Sequence, residues 1–142
     1  MKVKFYDSVK DDMLKFAVII SKHNGKWVFC KHRERDTYEI PGGHREPNET
    51  IFHTAKRELT EETGALDFSI TPICVYSVTG KNRVSKTGEE TFGMLFYAEI
   101  KTFSAEINSE IEYVKCFDEL PTNWTYPLIQ PLLIEEYQKK LG

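Results

Sequence analysis

Glu58, Glu61 and Glu62 place three carboxylates within five residues, and Thr63 and Gly64 follow at once. They belong to a longer run: Gly43, five residues, Glu49, seven residues, then Arg57-Glu58-Leu59-Thr60-Glu61-Glu62-Thr63-Gly64-Ala65. On a helix, residues three and four apart share a face. At 3.6 residues per turn the three acids fan over about 100° of circumference, and Phe52, Ala55 and Leu59 form a separate apolar stripe. Like charges so close repel, and Arg57, four residues before Glu61, is the local relief. A crowded carboxylate set short of basic partners is what a hard divalent cation neutralises. Oxygen donors suit Mg²⁺ or Mn²⁺ better than Zn²⁺. Mg²⁺ keeps several waters and is completed by substrate phosphates, so the pattern points to a phosphate-bearing substrate and to attack by an activated water. The competing reading is a solvated acidic helix face.

The whole run from Gly43 to Ala65 resembles the signature of the Nudix hydrolase superfamily. The order of strands around it and a closing helix are similar to that family as well. The resemblance implies an α/β fold, the Nudix-type α/β/α sandwich with a mixed β-sheet. It implies cleavage of a nucleoside diphosphate linked to another group, with Mg²⁺ or Mn²⁺. Glu58, Glu61 and Glu62 would be metal ligands and catalytic residues, with Arg57 among the catalytic set. The general base would be one of these glutamates or a loop carboxylate. Gly43 would shape the turn into the helix and offer its backbone to the metal. Glu49 and Arg57 would brace the loop-helix-loop, and Gly64 would be structural.

Residues outside the run bear on the substrate. Tyr38-Glu39-Ile40-Pro41-Gly42-Gly43 is similar to the corresponding stretch of the MutT-like branch, which releases a nucleoside monophosphate and pyrophosphate from a triphosphate, oxidised guanine nucleotides included. Lys31, Arg33 and Arg35 alternate, which on a strand places them on one face. Lys31, Arg33 and Glu39 are therefore candidates for substrate contact, against the alternative of a charged edge that discourages aggregation. Glu110 is the first choice for a further metal carboxylate, while Glu112 reads better as an exposed strand position. His23, His32, His44 and His53 lack zinc spacing and read as surface residues. Trp27, Tyr76, Phe92, Phe96, Trp124 and Tyr126 read as core or partial core, with one of them a candidate to stack on a base. Two readings compete with a nucleoside triphosphate hydrolase: an ADP-ribose or nucleotide-sugar pyrophosphatase, and a non-catalytic regulatory module of the same fold. Retention of all three glutamates weighs against the latter.

These residues need elements to carry them. Phe16–Ile20 and Lys26–Lys31 read as strands joined by an Asn24-Gly25 hairpin turn. Tyr38–Ile40 reads as a short strand before Pro41. A helix is expected from Glu49 to Thr63, with Asn48 as its N-cap, Glu49 at the positive end of its dipole and Gly64 just past its end. Strands are expected at 69–78, 91–100 and 112–117, with a polar loop at 79–90. A last helix spans 128–141, with Leu128, Ile129, Leu132, Leu133 and Tyr137 at helical spacing. With 142 residues the expectation is one domain, 1–142. The net charge of −3 gives no basic excess to hold a nucleic-acid backbone. The polar N-terminus is not a signal peptide, and the longest apolar run is too short for a bilayer. Cys30, Cys74 and Cys116 read as buried free thiols of a cytoplasmic protein. A small nucleotide is the expected partner, and pairing into a homodimer is left open.

Overall fold

The computed structural model describes residues 1–82 and 85–141. Its strands are β1 (Lys2–Tyr6), β2 (Leu14–His23), β3 (Lys26–His32), β4 (Gly42–His44), β5 (Ala65–Thr79), β6 (Thr91–Phe103) and β7 (Ile111–Phe117). The helices are α1 (Ile51–Thr63) and α2 (Gln130–Lys140), and a 3₁₀ turn covers Asp11–Met13. The sheet runs β1-β5-β6-β2-β3-β7, with β4 paired to β2. β2 and β6 are parallel, and every other pairing is antiparallel.

The middle of this sheet is covered on both faces, which explains why β2 reads as a continuous apolar run. Ala17 and Ile19 join the core under α1, together with Ile51, Ala55, Leu59, Val75, Phe96 and Ile100. Phe16 and Ile20 join the opposite core, with Phe29, Tyr76, Leu95, Leu133, Ile134 and Tyr137. The result is the expected α/β/α sandwich on a mixed sheet. Among the described residues no helix is long and apolar enough to cross a membrane.

The hairpin between β2 and β3 forms as expected. Asn24 and Gly25 both have positive φ, 51° and 78°, and His23 pairs with Lys26 across the turn. Helix α1 starts two residues later than expected. Thr50 is its N-cap and accepts from the His53 N–H, while Asn48 sits in the loop at φ 67°. Gly64 ends α1 at φ 77° and donates its N–H to the Thr60 carbonyl. A β-carbon there would lie 2.6 Å from the Ser104 carbonyl oxygen, so both φ and space require glycine.

Other expectations are corrected. Tyr38–Ile40 is not a strand: Tyr38 and Glu39 make only isolated bridges, and the strand is Gly42–His44. The physical cause is that Pro41 has no N–H and the Ile40 backbone is engaged by a side chain. Ile40 N–H donates to the Gln130 amide oxygen at 2.8 Å, and the amide nitrogen donates back to the Ile40 carbonyl at 3.4 Å. Helix α2 begins at Gln130 and not at Leu128, which is exposed in the preceding turn; on the helix Leu132 faces outward, while Leu133, Ile134 and Tyr137 are buried and Ile129 packs beside them. On α1, Ile51 joins Ala55 and Leu59 in the core, and Phe52 lies at its margin with its ring edge-on to Phe96. The polar N-terminus contains a strand the charge pattern concealed. In β1, Val3 and Phe5 pack on the sheet's α2 side, and the alternating lysines suit an edge position. Cys30 and Cys74 are buried free thiols, and Cys116 is half-buried. The expected loop at 79–90 includes Arg83 and Val84, which lie outside the described residues.

Candidate active site

The Gly42-Gly43 strand lies beside α1 because β4 pairs with the middle of β2, Gly43 opposite Ala17 and Gly42 opposite Val18. Its missing side chains let the helix acids reach it. Gly42 N–H donates to Glu62 Oε1 at 2.8 Å. A β-carbon on Gly43 would fall 2.5 and 2.6 Å from the two Glu58 carboxylate oxygens, well inside contact distance. Gly43 has a φ that any residue adopts, so the requirement for glycine here is the volume held by Glu58.

Arg57 organises the acids from the other side. Its Nε donates to Glu49 Oε2 at 2.5 Å and its Nη2 donates to Glu49 Oε1 at 3.0 Å, a bidentate pair. Nη1 donates to Glu58 at 2.7 Å and lies 3.5 Å from Glu61, and Nη2 also donates to the His44 carbonyl. Glu49 in turn accepts from the Glu46 N–H and the Thr54 hydroxyl. Glu49 and Arg57 thus tie the loop after β4 to the middle of α1. The Arg57 hydrogen bond, with those from Glu46 and Thr54, holds the Glu49 carboxyl down at about 2 against burial.

Glu62 is in the opposite condition. Burial pushes its pKa up to about 8, against the Gly42 hydrogen bond, and the Glu58, Glu39 and Glu61 carboxylates add to the rise. Burial also raises Glu58, opposed by Arg57. These acids are under-neutralised, and every donor is a hard oxygen, so the set fits a divalent cation of the Mg²⁺ class. Among the described residues no three such side chains already converge on one point. Glu58 leans to Arg57, Glu62 to Gly42, and Glu61 is 45% exposed.

Of the three helix acids, Glu62 borders a cavity of about 360 Å³. Glu39, Glu62, His32 and Glu110 line one polar side; Phe16, Val18, Ile40, Tyr76, Val78 and Ile129 form an apolar part, and Asn82, Thr91, Tyr126 and Gln130 add further polar groups. Glu39 is buried, pairs with Arg35 at 2.8 Å and lies 3.3 Å from His32 Nε2. His32 Nε2 is also 3.8 Å from Glu62. Reading His32 as a plain surface residue missed this contact. The alternation was legible, but the face that meets the acids carries Cys30 and His32, with Cys30 bridged to Glu39, and not the Lys31 face. Lys31 is paired with Glu112, and Arg33 donates to the Ser109 carbonyl. Neither lines the cavity. β3 ends at His32, so Arg33 and Arg35 do not continue its alternation. Glu110 is exposed and lies on the cavity wall, while Glu112 sits on the exposed side of β7. Gln130 also went unnoticed, since nothing in its local sequence separates a buried amide from a surface one.

A mixed sheet between two helices, with a glutamate-rich helix fed by a Gly-Gly strand beside an apolar cavity, defines a phosphoanhydride hydrolase of the MutT-like type. The family model described as NUDIX domain matches residues 12–126, and the chain belongs to that family. It is a Nudix hydrolase, a family that works with divalent metal ions. It is 32% identical over 124 residues to the Bacillus subtilis (strain 168) protein named "Putative 8-oxo-dGTP diphosphatase YtkD", covering 87% of this chain and 74% of that one. Among solved structures, the Bacillus subtilis pyrophosphohydrolase BsRppH superposes with a TM-score of 0.77 at 25% identity, covering 96% of this chain and 90% of that one. The NUDIX domain of Shewanella oneidensis NrtR, complexed with ADP ribose, shares the fold at a TM-score of 0.67 and 15% identity, over 91% and 88% of the two chains.

Proposed function

We propose that this Nudix pyrophosphohydrolase acts on a nucleoside triphosphate, with oxidised deoxyguanosine triphosphate the leading candidate, and releases the monophosphate and pyrophosphate. The observation that carries this reading is one cavity that is acidic where Glu62 meets Gly42-Gly43 and has an apolar, aromatic part formed by Phe16, Val18, Ile40, Tyr76 and Val78. Such a shape suits a ligand with a polyanionic end and a planar, mostly apolar end. The 32% identity to a protein named as an 8-oxo-dGTP diphosphatase supports the same substrate class.

Glu58, Glu61 and Glu62, with the backbone of Gly43, would hold Mg²⁺ or Mn²⁺. Bound there, the cation supplies positive charge to the diphosphate oxygens and makes an attacking water more acidic. The protein's own groups do the rest. Arg57 fixes Glu58 through a 2.7 Å hydrogen bond and is itself fixed by Glu49, so the acids keep one geometry while substrate enters. The Gly42 N–H orients Glu62. A carboxylate of this set accepts the water's proton, and the apolar lining excludes competing solvent from the bond under attack.

The test is a hydrolysis screen with Mg²⁺ and with Mn²⁺ over ordinary and oxidised nucleoside triphosphates, dinucleoside polyphosphates and ADP-ribose, with products identified by chromatography. Monophosphate and pyrophosphate from a triphosphate are expected. Turnover confined to ADP-ribose would replace the proposed substrate, and tight nucleotide binding without turnover would replace the catalytic reading by a regulatory one.

A further inference from the structure

Most polar groups in the cavity wall have a protein hydrogen-bond partner; His32 Nε2, which is buried, has none but faces Glu39 and Glu62. Gln130 is engaged at both ends of its amide by Ile40. Glu39 is held by Arg35, Glu62 by Gly42, and Thr91 donates to the Val78 carbonyl. Tyr76 differs. The residue is only 2% exposed and lines the cavity, yet its hydroxyl makes no hydrogen bond to any described residue. Burial holds its proton on, so it stays a neutral phenol with one O–H to give and lone pairs to receive. Among the described residues the fully buried side-chain atoms without a hydrogen bond are Ser21 Oγ and His32 Nε2; the Tyr76 hydroxyl is not one of them, so it keeps contact with the cavity space, where an incoming group can meet it.

The surroundings fix how this phenol is presented. Its ring meets Phe16 edge to face at 5.5 Å between centroids, and both rings line the cavity. Phe16 can lie there because Gly93, opposite Tyr76 across β5 and β6, has no side chain. A β-carbon at Gly93 would run into the Phe16 ring and sit 2.8 Å from the Phe16 carbonyl oxygen. The chain thus maintains two aromatic walls and one free hydroxyl in the apolar part of the cavity whose other side is acidic.

We propose that Tyr76 is a specificity-determining residue: its hydroxyl hydrogen-bonds the polar edge of the nucleobase, with Phe16 forming the wall beside it. This rests on the nucleotide reading of the cavity and assigns which residue recognises the base. Tyr76 makes no hydrogen bond to the acids of α1, so the role assigned to it is selection and not bond cleavage.

The experiment is isothermal titration, without metal, of the wild type and of Tyr76→Phe with the four common nucleoside monophosphates and 8-oxo-deoxyguanosine monophosphate. Melting temperatures are measured alongside. The wild type should prefer one base, and Tyr76→Phe should bind that monophosphate about five- to tenfold more weakly, the loss expected for one hydrogen bond, while its preference flattens. The melting temperature should hold or rise, because the lost hydroxyl has no protein partner. Equal affinity and equal preference in Tyr76→Phe would overturn the assignment. So would a Tyr76→Phe chain that fails to fold, since the hydroxyl would then have a structural partner. A wild type that binds no monophosphate or shows no base preference would overturn it too. Turnover in the hydrolysis screen would still stand in that case, so the two failures are distinguishable.

Discussion

Gly43→Ala isolates the contact between the β4 strand and the acidic helix. The backbone at Gly43 is already in a conformation that alanine adopts, so the change acts through one methyl group. That methyl would fall 2.5 and 2.6 Å from the Glu58 oxygens, and ordinary contact begins at 3.4 Å. The Glu58 carboxylate must therefore retreat by about 1 Å, toward or past Arg57. A displacement of that size at a catalytic group costs on the order of 10²-fold in rate. The prediction is a fall of about 100-fold in kcat/KM for the best substrate, with the melting temperature little changed. Gly42→Ala is the contrast: its β-carbon meets the Ala17 carbonyl at 2.6 Å, backbone that cannot swing away, so it should lower the melting temperature as well. Steady-state kinetics and thermal denaturation of the two variants decide it. A folded Gly43→Ala enzyme with wild-type kcat/KM would refute the claim that glycine is there to make room for Glu58.

Glu49→Gln probes the brace by pH. The folded pKa of Glu49 is depressed to about 2 from an ordinary 4.5, so its pairing stabilises the protein fully above 4.5 and fades as pH falls toward 2. The stability gap between wild type and Glu49→Gln, followed by denaturation from pH 6 to 2.5, should be constant down to about 4.5 and then narrow; a gap that does not narrow contradicts the pairing. Leu59→Ala empties a fully buried site under the sheet and should cost about 2–5 kcal/mol by urea denaturation. Gln130→Leu leaves the buried Ile40 N–H without its acceptor and should cost about 1–3 kcal/mol, read the same way. Lys31→Ala should leave KM within about twofold, because Lys31 is paired with Glu112 and does not line the cavity; a tenfold rise in KM would restore it as a substrate contact.

Much of the fold was legible because its signals were local. Asn24-Gly25 demanded a hairpin, Gly64 ended a helix, and the run from Arg57 to Gly64 carried helical spacing and a concentration of charge in the same stretch. The sandwich and the resemblance to Nudix hydrolases followed from these. What stayed hidden depended on partners distant in sequence. The Tyr38–Ile40 segment looked like a strand because nothing local reveals that Gln130, 90 residues on, takes its backbone groups. The N-cap fell on Thr50 and not Asn48 because Asn48 was needed at positive φ in the loop, which either residue type would have suited as a cap. On β3 the period of two was right, but which face meets the acids is set by the pairing of Cys30 with Glu39. In α2 the expected Leu133 and Tyr137 do face the core, but Leu132 faces outward and Leu128 lies in the turn before the helix, where helical spacing has no meaning. The cavity was the least legible feature. Phe16, Tyr76 and Gln130 come from three separate elements, and only their meeting makes a site.

In the proposed mechanism the acids of α1, crowded beside Gly42-Gly43, hold the cation on which hydrolysis depends. The direct measurement is Mn²⁺ binding by electron paramagnetic resonance, run in parallel with Mn²⁺-dependent turnover, on the wild type and on the Glu61→Gln/Glu62→Gln double variant. The prediction is Mn²⁺ binding and turnover that saturate together in the wild type, and loss of both in a double variant that still folds. A folded double variant that binds Mn²⁺ and turns over substrate as the wild type does would contradict it.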